Sequence, residues 1–148
     1  MLAVCRTWLK SLTHRPPAEA SLEQLFLLHA ANAALLQFTA RNNSLTPAQR
    51  RDVATTVTYL LSFLRERTHR EQLLKQRELT VDGMTYAFRA QGTVILLGVI
   101  YGEHELAVAL ESFDAVLHEV YTQHGALLGE LDTNPGLRLP RILPELSS

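Results

Sequence analysis

The run TVILLGVIYG, residues 93–102, constrains this chain more than any other stretch. Val94, Ile95, Leu96, Leu97, Val99 and Ile100 form a nearly continuous apolar, β-branched segment between Gly92 and Gly102. It is too short for a helix that would need its own caps, and it lacks the alternation of a strand with one wet face. It therefore predicts a central strand covered on both sides. Upstream, Met84, Tyr86 and Phe88 alternate with Thr85, Ala87 and Arg89, the period-two pattern of a strand with one buried face. Gln91 and Gly92 supply a tight connection, so residues 79–101 read as an antiparallel hairpin. A lone hairpin is marginal in water, and other segments must cover or extend it.

The 148 residues are 47% apolar and 20% charged, enough for one domain with a real core. Fourteen Lys and Arg against fifteen Asp and Glu leave a net charge of −1, without the electrostatic footprint of a nucleic-acid binder. Arg50, Arg51, Arg65, Arg67 and Arg70 cluster locally but are diluted by acidic and polar neighbours, as on a solvated helix face. A single cysteine, Cys5, excludes an internal disulfide framework and fits a reducing compartment. No apolar run approaches the ~18 residues that span a bilayer, and the N-terminus lacks a signal peptide's long apolar region, so a cytoplasmic chain is expected.

In residues 2–12, Leu2, Cys5, Trp8, Leu9 and Leu12 fall at helical spacing. This short amphipathic stripe suits packing on the domain, or contact with a membrane surface or partner through Cys5, Trp8 and Leu9. Pro16 and Pro17 then impose an extended linker through residue 20.

Residues 21–40, SLEQLFLLHAANAALLQFTA, admit two readings. Ser21 with Gln24 resembles a capping box, Leu25, Leu28, Ala31, Leu35 and Phe38 share a helical stripe, and the composition is rich in alanine, so propensity favours a helix. The segment also divides at Asn32 into two apolar runs, QLFLLHAA and AALLQFT, that suit two buried strands. Thr46, Pro47 and Gln49 make a well-formed helix start, and Val53, Val57, Leu60, Leu61 and Leu64 continue one apolar stripe to about residue 67, with a polar extension toward Gln76. After the hairpin, Glu103 and Glu105 suit the first turn of a helix over 103–124 with a broad apolar face and a stop at Gly125. Pro135, Pro140 and Pro144 mark residues 132–148 as an extended tail, leaving 21–131 as the single globular domain.

Chemistry is sparsely signalled. Glu111, Asp114 and His118 share a helix face at spacings that suit a cation or an acid paired with a base, the basis for reading a small metal-dependent enzyme. Such spacing arises often on solvated faces, no companion Cys or His motif accompanies it, and the expected inventory is no metal, no cofactor and no catalytic residue. His104, between two glutamates, reads as a surface residue, and His29 as a satisfied core histidine. There is no nucleophile elbow, phosphate-cradling loop or zinc-protease motif.

Taken as two strands, residues 24–39 give the order strand, strand, helix, strand, strand, helix. With QLFLLHAANAALLQFTA as first hairpin, TPAQRRDVATTVTYLLSFL as helix, MTYAFRAQGTVILLGVIYG as second hairpin and EHELAVALESFDAVLHEVYTQHG as the following helix, residues 24–131 resemble the longin-like fold of adaptor-complex small chains and related vesicle-trafficking proteins. The acidic helix start of those chains is matched by Glu103 to Leu106. The extension through Ala20, and a proline-containing tail where a final helix is expected, depart from that pattern. The resemblance implies an α+β fold and a non-enzymatic adaptor subunit, cytoplasmic or peripheral on endomembranes, that binds a larger protein or a small GTPase. With 21–40 helical, the alternative is a helix-rich regulatory module of order α-α-β-β-α.

Overall fold

In the computed structural model, which describes residues 20–146 except 42, 43 and 135, the apolar run forms the middle strand of a five-stranded antiparallel sheet. Strands β1 (Ser21–His29) and β2 (Leu35–Ala40) precede helices α1 (Pro47–Arg65) and α2 (Arg67–Gln76). Strands β3 (Glu78–Val81), β4 (Met84–Gln91) and β5 (Val94–Tyr101) follow, and helix α3 (Leu106–Leu128) comes last. The strand order is β2-β1-β5-β4-β3, so β5 lies between β1 and β4. The amphipathic stretch with Cys5, Trp8 and Leu9 lies outside the described residues.

Residues 21–40 are two strands, which removes the helix-rich alternative. The helical stripe in this segment is incidental to a strand buried on both faces: Leu22, Leu25 and Leu27 face α3, while Phe26 and Leu28 face α1. The alanines that raised helix propensity lie mainly in the connection, where Ala33 takes a positive φ of 58° and Asn32 Oδ1 accepts the Ala34 amide at 3.0 Å. Ser21 is no helix cap either; its hydroxyl donates to Glu23 Oε1 at 2.7 Å. Tertiary burial outweighs local propensity here.

The predicted hairpin is in fact a three-stranded meander. Leu79 does not begin the strand of Met84: Glu78–Val81 pairs back on β4 through a two-residue turn at Asp82 and Gly83, both with positive φ. Asp-Gly is a strong hairpin signal, and it marks this turn in the sequence. At the next turn Gly92 takes a φ of 59°, and a β-carbon there would overlap the Tyr121 side chain. Tyr121 Oη accepts the Thr93 amide at 3.1 Å and Thr93 Oγ1 donates to Leu128 O at 2.7 Å, which ties the β4–β5 turn to α3.

Helix α1 begins as predicted. Thr46 Oγ1 accepts the Gln49 amide at 3.1 Å, Gln49 Oε1 accepts the Thr46 amide at 2.9 Å, and Pro47 takes the first turn. Val53, Val57, Leu60 and Leu64 bury its inner face against Phe26, Leu28, Tyr86, Phe88, Ile95 and Leu97. The polar extension is a separate helix. Extended backbone at Glu66 ends α1, and the Glu66 carboxylate caps α2 by accepting the Thr68 amide at 3.1 Å and the His69 amide at 2.8 Å. Arg70 Nη1 closes the other side of the break by donating to the Leu64 carbonyl at 3.0 Å.

The cap has a pH signature. The amides of His69 and then Thr68 hold the Glu66 carboxyl below its ordinary value. A depressed folded-state pKa stabilises α2 above the unfolded value of 4.5, and that contribution is lost as pH falls through the folded one. Acidification below pH 4.5 is therefore expected to shift the Thr68 and His69 amide resonances toward coil positions. The Glu66→Gln variant should lack this transition; an identical acid transition in that variant would assign it elsewhere.

Helix α3 starts later than the acidic pair suggested. Glu105 adopts left-handed backbone with a φ of 56°, so Glu103 and Glu105 precede the first turn. The helix also runs through Gly125 to Leu128. Phe113, Leu117, Val120 and Leu128 pack on Leu25, Leu27, Ala87, Val94, Leu96 and Ile100. Beyond it, the proline-containing segment is extended and docks beside α3: Ile142 and Leu143 are buried, and their amides donate to Gln37 Oε1 at 2.9 and 3.2 Å. Gln37 Nε2 donates in turn to the Pro140 carbonyl. Helices thus cover both faces of the sheet, and the second face of β4, read from sequence as polar, is buried as well.

Candidate functional site

Glu111, Asp114 and His118 are not brought together as a site. The apolar stripe of α3 fixes its rotation and turns these residues outward; Glu111 and His118 are exposed. Asp114 has a partner, for its Oδ1 lies 2.8 Å from Arg89 Nε. Arg89 is 7% exposed, and its guanidinium also donates to the carbonyls of Arg77 at 2.8 Å and Phe88 at 3.0 Å, lies 3.4 Å from Glu78 Oε2, and sits 5.6 Å from the Phe113 ring centre. This is how β4 tolerates a buried cation: each of the three guanidinium nitrogens meets a carboxylate or a carbonyl, and a ring lies against the group. Among the described residues no group of three or more His, Cys, Asp or Glu is placed to hold a metal ion. His29, half-buried at the end of β1, has Nε2 2.9 Å from Asp132 Oδ1, and His104 is exposed.

The more telling site lies where β1 and β2 reach the start of α1. The pairing of β1 with β5 slips between Leu22 and Gln24, so Glu23 is the extra residue of a β-bulge. A bulge breaks strand alternation and re-aims a side chain. Here it places Glu23, only 2% exposed, in the lining of an open pocket of about 370 Å³ with Gln24, Phe38, Ala40, Arg41, Leu45 and Arg50. Glu23 Oε1 is satisfied by Ser21, whereas Oε2 has no hydrogen-bond partner among the described residues. Arg41 Nε, 3.9 Å from that oxygen, is likewise without one. The backbone is firm around them, because the Arg41 amide donates to the Glu23 carbonyl at 2.8 Å.

The pocket adjoins a sheet edge that no other strand pairs with among the described residues. Strand β2 is terminal in the sheet, and its sequence LLQFTA carries no charge and no proline. Phe38 is 51% exposed beside the pocket and packs on Phe26 with ring centres 4.7 Å apart. Sequence reasoning passed over Glu23 and Arg41. The available signal was an acidic residue at the start of a strand that turns apolar from Leu25 to Leu28, and it reads as a solvent-facing position unless the bulge is known.

Two of the five arginines of the cluster are held at the α1–α2 junction, with Arg67 Nε 3.2 Å from Glu71 Oε1 and Arg70 on the end of α1, and Arg50 lines the pocket. No helix among the described residues is long and apolar enough to cross a membrane. Comparison with protein-family models, with curated proteins and with solved structures finds no match to this chain.

Proposed function

We propose that this chain is a non-enzymatic interaction subunit with a longin-like fold, acting in membrane traffic at the cytoplasmic face of endomembranes by binding a larger protein or a small GTPase. The observation that carries the reading is the order of elements around the sheet. A first hairpin, β1–β2, precedes the long helix α1, and a second, β4–β5, precedes α3, the arrangement on which the resemblance rests. Strand β3 and helix α2 are additions to that plan. Covered on both faces by helices, the sheet offers partners its two edges and the outer helical surfaces. The acidic residue of α3 best placed for chemistry, Asp114, instead holds Arg89.

The test is purification of the tagged full chain from its own cells, followed by size-exclusion chromatography and mass spectrometry. A single larger polypeptide in fixed stoichiometry, or a small GTPase retained in one nucleotide state, is the expected result. A chain that elutes alone as a monomer under gentle conditions overturns the reading.

A further inference from the structure

The corner pocket presents an uncommon demand. A carboxylate oxygen and a guanidinium nitrogen, 3.9 Å apart and both buried, have no hydrogen-bond partner among the described residues, and the carboxylate belongs to a nearly fully buried side chain. Leaving buried polar groups unpaired costs free energy, so a group that joins them is favoured. That group must donate to Glu23 Oε2 and accept from Arg41 Nε. A carboxylate would face Glu23 as a like charge; an ammonium would face Arg41 and Arg50. A carboxamide carries an N–H donor and a carbonyl acceptor side by side on one edge, which matches the couple without bringing charge. A water or a hydroxyl can bridge the same two atoms but leaves the Phe38 and Leu45 walls of a pocket this size without contact.

The second observation is the edge itself. Strand β2 makes no backbone hydrogen bond beyond β1 among the described residues, and Leu35 and Phe38 are 53% and 51% exposed. Edge strands are ordinarily blunted by charge, proline, a bulge or cover; β2 has one irregularity, at Leu36, and pairs in regular register with β1 from Gln37 to Ala40. Among the described residues the C-terminal segment hydrogen-bonds to β2 only at the Gln37 side chain, on the α3 side, although Arg141 and Leu143 also lie near Phe38 and Thr39. An extended segment added to such an edge gains main-chain hydrogen bonds for affinity, and a neighbouring side-chain pocket supplies selectivity.

We propose that β2 and the Glu23–Arg41 pocket together bind an extended segment of a protein partner, which pairs with the β2 edge and inserts an Asn or Gln carboxamide between Glu23 and Arg41. This rests on the interaction-subunit reading and names what one of its surfaces selects.

The experiment is selection of random phage-displayed peptides on the immobilised full chain, with calorimetry on the winners. The expected winners share an Asn or Gln at one fixed position, and in complex they slow amide exchange within residues 35–40. Replacing that residue of the peptide by Leu should weaken binding roughly 10- to 100-fold, the effect of leaving two buried polar groups unpaired. Because the change is made in the peptide, the result does not depend on a variant chain folding. Glu23→Leu and Arg41→Met in the chain, checked for intact folding by amide spectra, should produce the same loss. Failure to enrich any peptide overturns the proposal, as do winners with an acidic, basic or hydroxyl side chain at the fixed position, or indifference to the Leu replacement. A co-purifying partner whose binding survives Glu23→Leu and Arg41→Met also overturns it while leaving the interaction-subunit reading intact. Peptides that require Glu23, combined with a chain that co-purifies with nothing, do the reverse.

Discussion

Replacing Arg89 by alanine is expected to lower the unfolding free energy by about 3 kcal/mol, at the lower end of what breaking a buried ion pair costs. The lower end applies because the two carboxylates, Asp114 and Glu78, are 47% and 35% exposed and can recover water once the guanidinium is gone. What they cannot recover is the cross-link, since one Arg89 side chain joins β4 to α3 through Asp114 and to β3 through Glu78. The alanine also strips the methylene stem and the cation from the Phe113 ring. Arg89→Met keeps the stem and drops the charge, so it should recover part of the loss. Urea denaturation of the three proteins measures both steps. An alanine variant within 0.5 kcal/mol of the parent, about the spread of ordinary surface substitutions, would mean that the pair is merely tolerated.

Phe113→Ala is expected to cost about 3–5 kcal/mol, as for other large aromatic residues removed from a core. The ring is fully buried, and its partner is backbone: a β-carbon on Gly98 would overlap the edge of Phe113. Glycine in the middle of β5 weakens the strand itself, and here it is required because the Phe113 ring of α3 lies directly against the sheet at that position. Gly98→Ala alone should therefore destabilise by about 1–3 kcal/mol through overpacking. In the double variant the methyl group occupies space that the ring has left, so the two losses should fall short of additive. A double-mutant cycle by denaturant titration reads this directly; strict additivity would show that Gly98 and Phe113 do not share the space.

Much of this architecture was legible where local and tertiary demands agree. The run at Val94–Ile100 is fully buried from both sides as its composition required, and the Thr46 cap is formed in full. Legibility failed where burial overrides local chemistry. In Ser21–His29 a strand wetted on neither face carries the same leucines as an amphipathic helix, and the alanines of the turn weighed on the wrong side. Residues 79–91 read as one strand because the alternation of Met84, Tyr86 and Phe88 drew attention away from Asp82–Gly83, the turn that makes two. Glu103 and Glu105 looked like helix-start acids, but the left-handed backbone at Glu105 delays α3 to Leu106. The pocket was the least accessible feature. Its acidic residue owes its orientation to a one-residue slip between β1 and β5, strands that meet only in three dimensions, and no local pattern encodes that slip.

That meeting has a further consequence. The N-terminal hairpin joins the rest of the sheet through β5, so α1, α2, β3 and β4 must all be synthesised before β1 finds its second neighbour. Until then Leu22, Leu25, Phe26, Leu27 and Leu28 have no central strand to lie against, a situation that slows folding and invites misassembly. For the interval between the emergence of its first strand and its fifth, a nascent chain of this design carries that apolar stretch without its central partner.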